Sequence, residues 1–291
     1  MTFASTAAAT PWAWHIHPDV WLLVAALYIG YPLIMRTLGP RFVPAGEIVV
    51  SKRQQACWFV GTTLLWIGAD YPIHDLAEEY LFSVHMLQHM IFSFGAAALL
   101  LAGIPKWLMR AILRPPRVMK VVRSLTRPMV AFIIFNVVVA FTHWPAVVDL
   151  SVTSEPAHFS LHFLLFFSSV LMWWPVVDPL PETARLSEPG KMLYLFGQSI
   201  LPTVPASFLT FGDSPLYHYY ETVPRIWGTS ALGDMQTAGL VMKIGGGLLL
   251  WVVIAVIFFK WNSDEESGHI DRTTSWDDFE HELKALDLRR T

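Results

Sequence analysis

Charge is scarce in this sequence. Only 15% of its 291 residues are Asp, Glu, Lys or Arg, against 54% hydrophobic residues, where a soluble globular domain carries about 25% charged residues. Cysteine is scarcer still. Cys57 stands alone, which excludes an intramolecular disulfide, a Cys-x-x-Cys-His haem attachment and a thiolate-rich metal site. Met1 to Trp14 contains no Lys or Arg, so the basic start of a secretory leader is missing and the first apolar segment is expected to remain as a helix. A chain this apolar over this length has room for several bilayer spans and little else. What the sequence does have is Trp, thirteen residues, and His, eleven. Trp is expected at membrane interfaces; the histidines need their own explanation.

A span needs roughly 20 mostly apolar residues. Seven segments meet that description: Val20–Met35, Gln55–Ile73, Tyr80–Ile104, Pro128–Trp144, Ala157–Val177, Gly190–Phe211 and Gly233–Lys260. The expected fold class is therefore all-α, a polytopic seven-transmembrane-helix bundle. Residues 1–19 form an external segment, 20–260 the membrane domain and 261–291 a cytoplasmic tail. Pro202 and Pro205 predict a kink in the sixth segment, tolerated where neighbours satisfy the freed carbonyls. In the tail, Trp276, Phe279, Leu283 and Leu286 recur at helical spacing and predict a short amphipathic helix.

Basic residues orient the spans. The first, third and fifth connections and the tail hold 18 of the 20 Lys and Arg, seven of them in the third connection from Lys106 to Arg127. The opposite side has Arg225, and Lys243 lies within the seventh segment. Such a bias puts the Arg-rich connections in the cytoplasm and the N-terminus outside. Topology and contact with anionic lipid head groups account for the basic third connection, so no nucleic-acid partner is expected. The expected location is the bacterial cytoplasmic membrane.

On this topology nine histidines fall on or near the outer side: His15, His17, His74, His85, His89, His143, His158, His162 and His218. Only His269 and His281 are cytoplasmic. His85 and His89 are four residues apart in one helix, as are His158 and His162 in another, so each pair shares a face one turn apart. Two imidazoles so spaced can chelate one metal ion. Polar groups inside a span are expensive and normally mark a functional site; the plainer alternative is interhelical hydrogen bonding. Imidazole suits copper, zinc, iron or nickel, and thioethers at Met86, Met90 and Met235 would shift the preference toward Cu(I), although Met is more often a simple gap-filler in helix packing. No Glu lies between either pair to serve a zinc hydrolase as base. A haem is the alternative cofactor, its axial ligands coming from different helices. Lys243 invites a retinal reading, but the third span has no Asp as counter-ion; a lysine paired inside the bundle or lining a polar cavity is the simpler account. Gly245, Gly246 and Gly247, which follow it, predict close helix contact or a bend.

At these motifs the sequence resembles the CtaG-type cytochrome c oxidase assembly factors, of the multi-span family associated with caa-type oxidases. The matching residues are His85-Met86-Leu87-Gln88-His89, His143-Trp144-Pro145, His158 to His162 followed by Trp173-Trp174-Pro175, and Asp234-Met235-Gln236-Thr237-Ala238-Gly239. The likeness runs from about His17 to Lys260. It implies a non-catalytic role in maturing the oxidase, with delivery or insertion of copper, and as partners the oxidase subunits and another copper chaperone. Met235 stands where the family pattern carries Gln. The primary metal ligands expected are His85, His89, His158 and His162. His143, His74, Met235 and Asp234 form a secondary set, and Gln88 and Asp234 are expected to orient imidazoles from behind. Neutral imidazoles bind the metal, so affinity should fall below about pH 6.5.

Overall fold

The computed structural model describes residues 11–183 and 185–272, the last five as backbone alone. No strand occurs among them. The seven apolar segments lie in α1 (Pro18–Thr37), α2 (Lys52–Ala69), α3 (Phe82–Gly103), α4 (Pro128–Thr142), α5 (Glu155–Val177), α6 (Glu188–Phe211) and α7 (Ala231–Ser267), whose backbone continues to Arg272. Short helices fill the connections, among them Ile73–Glu79, Pro116–Leu125, Pro145–Thr153 and Tyr219–Thr222. The amphipathic segment read at Trp276–Leu286 lies outside the described residues.

Helix starts follow local chemistry. Proline occupies the first turn of α1, α4, α5 and α6, where its missing N–H costs nothing. Ser51 and Gln54 form a reciprocal capping box that starts α2, satisfying two orphan donors. The expected kink in α6 is a break. Its halves Glu188–Ile200 and Thr203–Phe211 are separated at Leu201–Pro202, since proline cannot donate into the preceding turn.

Five of these helices (α1, α3, α5, α6 and α7) are long and apolar enough to cross a bilayer. A sixth joins them if Pro116–Leu125 and Pro128–Thr142, bent by 74°, form one broken span. The shortfall from seven has physical causes. α2 opens on Lys52, Arg53, Gln54 and Gln55, which dilute its apolar run. α4 has 15 residues, about 22 Å at 1.5 Å per residue, short of a hydrocarbon core about 30 Å thick.

The surface is rich in large apolar side chains, and several polar side chains are buried among apolar ones. Leu22, Ile29, Phe163, Leu193, Phe208 and Leu248 are exposed, whereas Thr62, Gln88, Ser93, Ser169, Gln198 and Asp234 are buried. Water would penalise the first set, and hydrocarbon would penalise the second if it faced outward. The chain is a membrane protein by this distribution. Close backbone approach is built in at two glycines. A Cβ on Gly103 would meet the Trp58 backbone N at 2.8 Å, and one on Gly239 would meet the Ala206 carbonyl at 2.7 Å. The first draws α2 onto α3 and the second draws α7 onto the second half of α6. Both α3 and α7 widen into π-helical turns, at Ile91–Ala96 and Val241–Gly246. The second turn packs on α3 at Met90 and Phe94, which a Cβ on Gly246 would meet at 3.2 and 3.4 Å; of the three glycines that predict close contact or a bend, Gly246 serves close contact.

One apolar core gathers Phe94, Phe135, Trp173, Trp174, Leu195 and Leu250. A second gathers Phe82, Met86, Tyr217, Tyr220, Met235 and Ala238. The histidine-bearing ends of α3 and α5 lie where the two meet.

Candidate metal centre

α3 and α5 adjoin, held by the Trp173 indole donating to the Ser93 carbonyl at 2.9 Å. Both i, i+4 pairs therefore meet. Ring centroids are 4.4 Å apart for His85 and His89, 4.2 Å for His158 and His162, 4.8 Å for His89 and His162, and 5.3 Å for His85 and His162. One ring nitrogen from each of His85, His89 and His162 lies within 4.8 Å of the others. Three nitrogens bound tetrahedrally at 2.0–2.1 Å would be about 3.4 Å apart, so small rotamer adjustments close the site on an ion.

The donors are unpaired. His85 Nδ1, both nitrogens of His89, His143 Nε2 and His162 Nε2 are buried without a hydrogen-bond partner in the protein. Each such atom costs about 1–3 kcal/mol, a penalty that a bound cation removes. His143 is oriented for the purpose. Its Nδ1 donates to the Val139 carbonyl at 2.7 Å; that carbonyl can only accept, so Nδ1 carries the proton and Nε2 keeps its lone pair. The His143 ring lies 6.0 Å from that of His89. Two small cavities flank His89. One of about 20 Å³ is lined by His85, Met86, His143 and His162. The other, about 30 Å³, is lined by Met90, Ser93, His143 and Met242. Each is large enough for one water or ion.

Glu78, on the Ile73–Glu79 helix, was invisible to spacing arguments because it lies between spans. Its Oε1 sits 3.3 Å from His85 Nδ1 and 3.2 Å from His158 Nε2, outside hydrogen-bonding geometry for both. Burial pushes this carboxyl up most strongly, but the His158 and His85 contacts together outweigh it and hold it well below the usual carboxylate range. One oxygen from Glu78 and one nitrogen each from His158 and His162 form a second set within 4.8 Å. The connection 217–220 braces both sides. Tyr217 Oη donates to the His143 carbonyl at 3.0 Å and Tyr220 Oη to the Ala77 carbonyl at 3.3 Å. His158 Nδ1 lies 3.2 Å from Ser151 Oγ.

Of the secondary residues, His143 lines the centre, whereas Asp234 and Met235 are engaged elsewhere. Asp234 accepts from the backbone N–H of Phe82 at 2.7 Å and of Ser83 at 3.1 Å, and from Ser83 Oγ. It caps α3 from the start of α7, satisfying donors that the helix leaves orphaned. Met235 Sδ accepts from the Leu216 N–H at 3.2 Å, so its thioether faces the second core. Gln88 donates to the Gly68 carbonyl at 2.7 Å and lies 3.2 Å from His74 Nδ1. It thus touches one imidazole of the secondary set and none of the primary four. His74 packs edge-on against His17 at 4.9 Å; burial lowers its pKa, with Glu78 opposing. His15 and His17 bind Asp75 at 2.9 and 2.7 Å. His218 pairs with Glu221 on the surface. His281, like the His269 side chain, lies outside the described residues. Lys243 Nζ lies 4.9 Å from the Phe211 ring centroid, a cation–π contact on a flank shared with exposed Ile244 and Leu248, away from the histidines.

The family model for the cytochrome c oxidase caa3 assembly factors matches residues 29–264. The chain belongs to this family. That family is described by a role in cytochrome c oxidase caa3 assembly. The matched stretch contains His74, Glu78, His85, His89, His143, His158 and His162, and leaves His15 and His17 outside it. Curated relatives include the uncharacterized protein Mb0105 of Mycobacterium bovis and the uncharacterized protein MT0111 of Mycobacterium tuberculosis, each 23% identical over 273 residues. The alignments cover 83% of this chain and 40% of each relative, so this caa3 assembly factor spans about two fifths of the length of the curated relatives it matches. No solved structure matches the chain.

Proposed function

We propose that this caa3 assembly factor binds copper through His85, His89, His158 and His162 and hands it to cytochrome c oxidase during assembly, with oxidase subunits and another copper chaperone as partners. The chain crosses the bacterial cytoplasmic membrane seven times, N-terminus outside, so that the site opens toward the outer face. The basic third connection supports this orientation. The observation that carries the copper reading is the convergence of buried, partnerless ring nitrogens from α3 and α5. Imidazole binds both copper oxidation states, and the Met86 and Met90 thioethers beside it favour Cu(I). Cavities of about 20 and 30 Å³ suit an ion and leave no space for a porphyrin, which weighs against the haem alternative. α2 and α4 reach across with help from their flanking connections, since thinning and snorkelling accommodate short spans.

Purified protein is expected to hold copper by elemental analysis and to lose it when all four histidines become Ala. Full copper retention in that variant would overturn the assignment. A Soret band in the purified protein would instead establish haem.

A further inference from the structure

The donor atoms of this centre fall into two overlapping sets, and their chemistry differs. Glu78, His158 and His162 give one carboxylate oxygen and two imidazoles; His85, His89 and His162 give three imidazoles. His162 belongs to both. The first set is partly open, with the Glu78 side chain 22% and that of His158 17% exposed. The second is closed, since His85 and His89 are buried. Glu78 Oε1 touches both a first-set ring, His158, and a second-set ring, His85. A carboxylate attracts hard and borderline divalent ions, whereas Cu(I) prefers soft or imidazole donors.

The geometry points to a two-station site, in which Glu78, His158 and His162 form an entry station for a divalent cation beside the all-imidazole station His85, His89 and His162. This rests on the metal-binding reading above and adds to it a ligand, Glu78, and a direction of travel. A cation moves inward by exchanging its bonds to Glu78 and His158 for bonds to His85 and His89, while the bond to His162 persists. No electron is transferred and no bond within the protein breaks. Sharing one ligand keeps the cation coordinated throughout, which avoids a bare ion in a low-dielectric interior.

Zn(II) and Cu(I) serve as probes on the full chain in detergent, each with a competing chelator. His89→Ala, which disables the all-imidazole station, should weaken Cu(I) by at least about tenfold while Zn(II) stays bound at the entry station. Adding Glu78→Gln to that variant should weaken Zn(II) by about a further tenfold, whereas Glu78→Gln alone should keep Cu(I) affinity within about twofold, because three imidazoles remain. Glu78→Asp in the His89→Ala background, which keeps the carboxylate, should recover Zn(II) binding and so separates ligation from folding. Zn(II) affinity in His89→Ala that Glu78→Gln leaves unchanged, or a Cu(I) loss in Glu78→Gln alone equal to that in His89→Ala, would overturn the two-station site. Wild-type protein that binds Cu(I) but not Zn(II) would overturn this inference alone. Binding of neither ion would overturn the copper reading with it.

Discussion

Asp234→Asn separates two roles that one carboxylate could have. The sequence allows Asp234 as a metal ligand or as a group that orients an imidazole; the structure makes it the external cap of α3. Three donors converge on its two oxygens, the Phe82 and Ser83 amides and the Ser83 hydroxyl, and the residue is 3% exposed. Hydrogen bonds to an ionised acceptor contribute about 1.5–3 kcal/mol each. Asn keeps one acceptor oxygen but brings an NH2 toward a backbone N–H, of Phe82 or Ser83, that cannot accept from it. The change therefore forfeits at least one charged bond and leaves a buried amide unmatched, a destabilisation of about 3–5 kcal/mol, the range seen when one partner of a buried pair is removed. At about 2–4 °C per kcal/mol, the apparent Tm should fall by roughly 6–20 °C. Copper affinity per folded molecule, measured well below that Tm, should change little. Thermal unfolding in detergent paired with a Cu(I) competition titration reads both numbers. A stable Asp234→Asn protein with copper affinity reduced about tenfold or more would refute the capping assignment and restore Asp234 to the metal site.

Gly239→Ala should destabilise by about 1–3 kcal/mol through overpacking, because the new methyl meets the Ala206 carbonyl at 2.7 Å and the Thr210 N–H at 2.8 Å; thermal unfolding checks it, and an unchanged Tm would mean that the α6–α7 contact is looser than described. Gln88→Leu removes a buried donor to the Gly68 carbonyl and should cost about 1–3 kcal/mol while sparing copper affinity. A loss of copper affinity with unaltered stability would make Gln88 a positioning residue of the site. Copper affinity should fall as the pH is lowered into the range where protons compete for the imidazoles. The logarithm of the binding constant should fall with a slope approaching one per imidazole displaced, and chelator competition between pH 5 and 8 measures it. Affinity that rises as the pH falls would exclude imidazole ligation.

Periodicity and charge made much of this legible. Apolar runs located α1, α3, α5, α6 and α7, and i, i+4 spacing aligned His85 with His89 and His158 with His162 before any packing was known. Their meeting was not legible, since it depends on α3 and α5 being neighbours, a tertiary fact expressed in the Trp173–Ser93 bond. Glu78 escaped because it sits in a polar connection with no period. Only its position seven residues before His85, on a short helix that folds back over α3, brings it to the imidazoles. Asp234 stands out in the sequence as a carboxylate deep in an apolar chain, but its contacts with Phe82 and Ser83 were not legible there, because spacing does not reveal which helix end a side chain from another helix caps. The α2 capping box, Ser51-x-x-Gln54, is a local signal that would have fixed the start of α2 ahead of Gln55.

The π-helical turn at Ile91–Ala96 has a consequence for insertions and deletions. A π turn accommodates more chain per hydrogen-bonded ring than an α turn, so it behaves as one residue added to an otherwise regular helix. Upstream of it, His85 and His89 face α5; downstream, Leu101 faces the apolar core. Removing a single residue between Ile91 and Ala96 would let α3 run as an unbroken α-helix and turn its two halves by about 100° relative to each other. With the lower half held by its packing, both histidines would swing off their partners together. Every histidine of the cluster would still be in the chain, and the cluster would be gone.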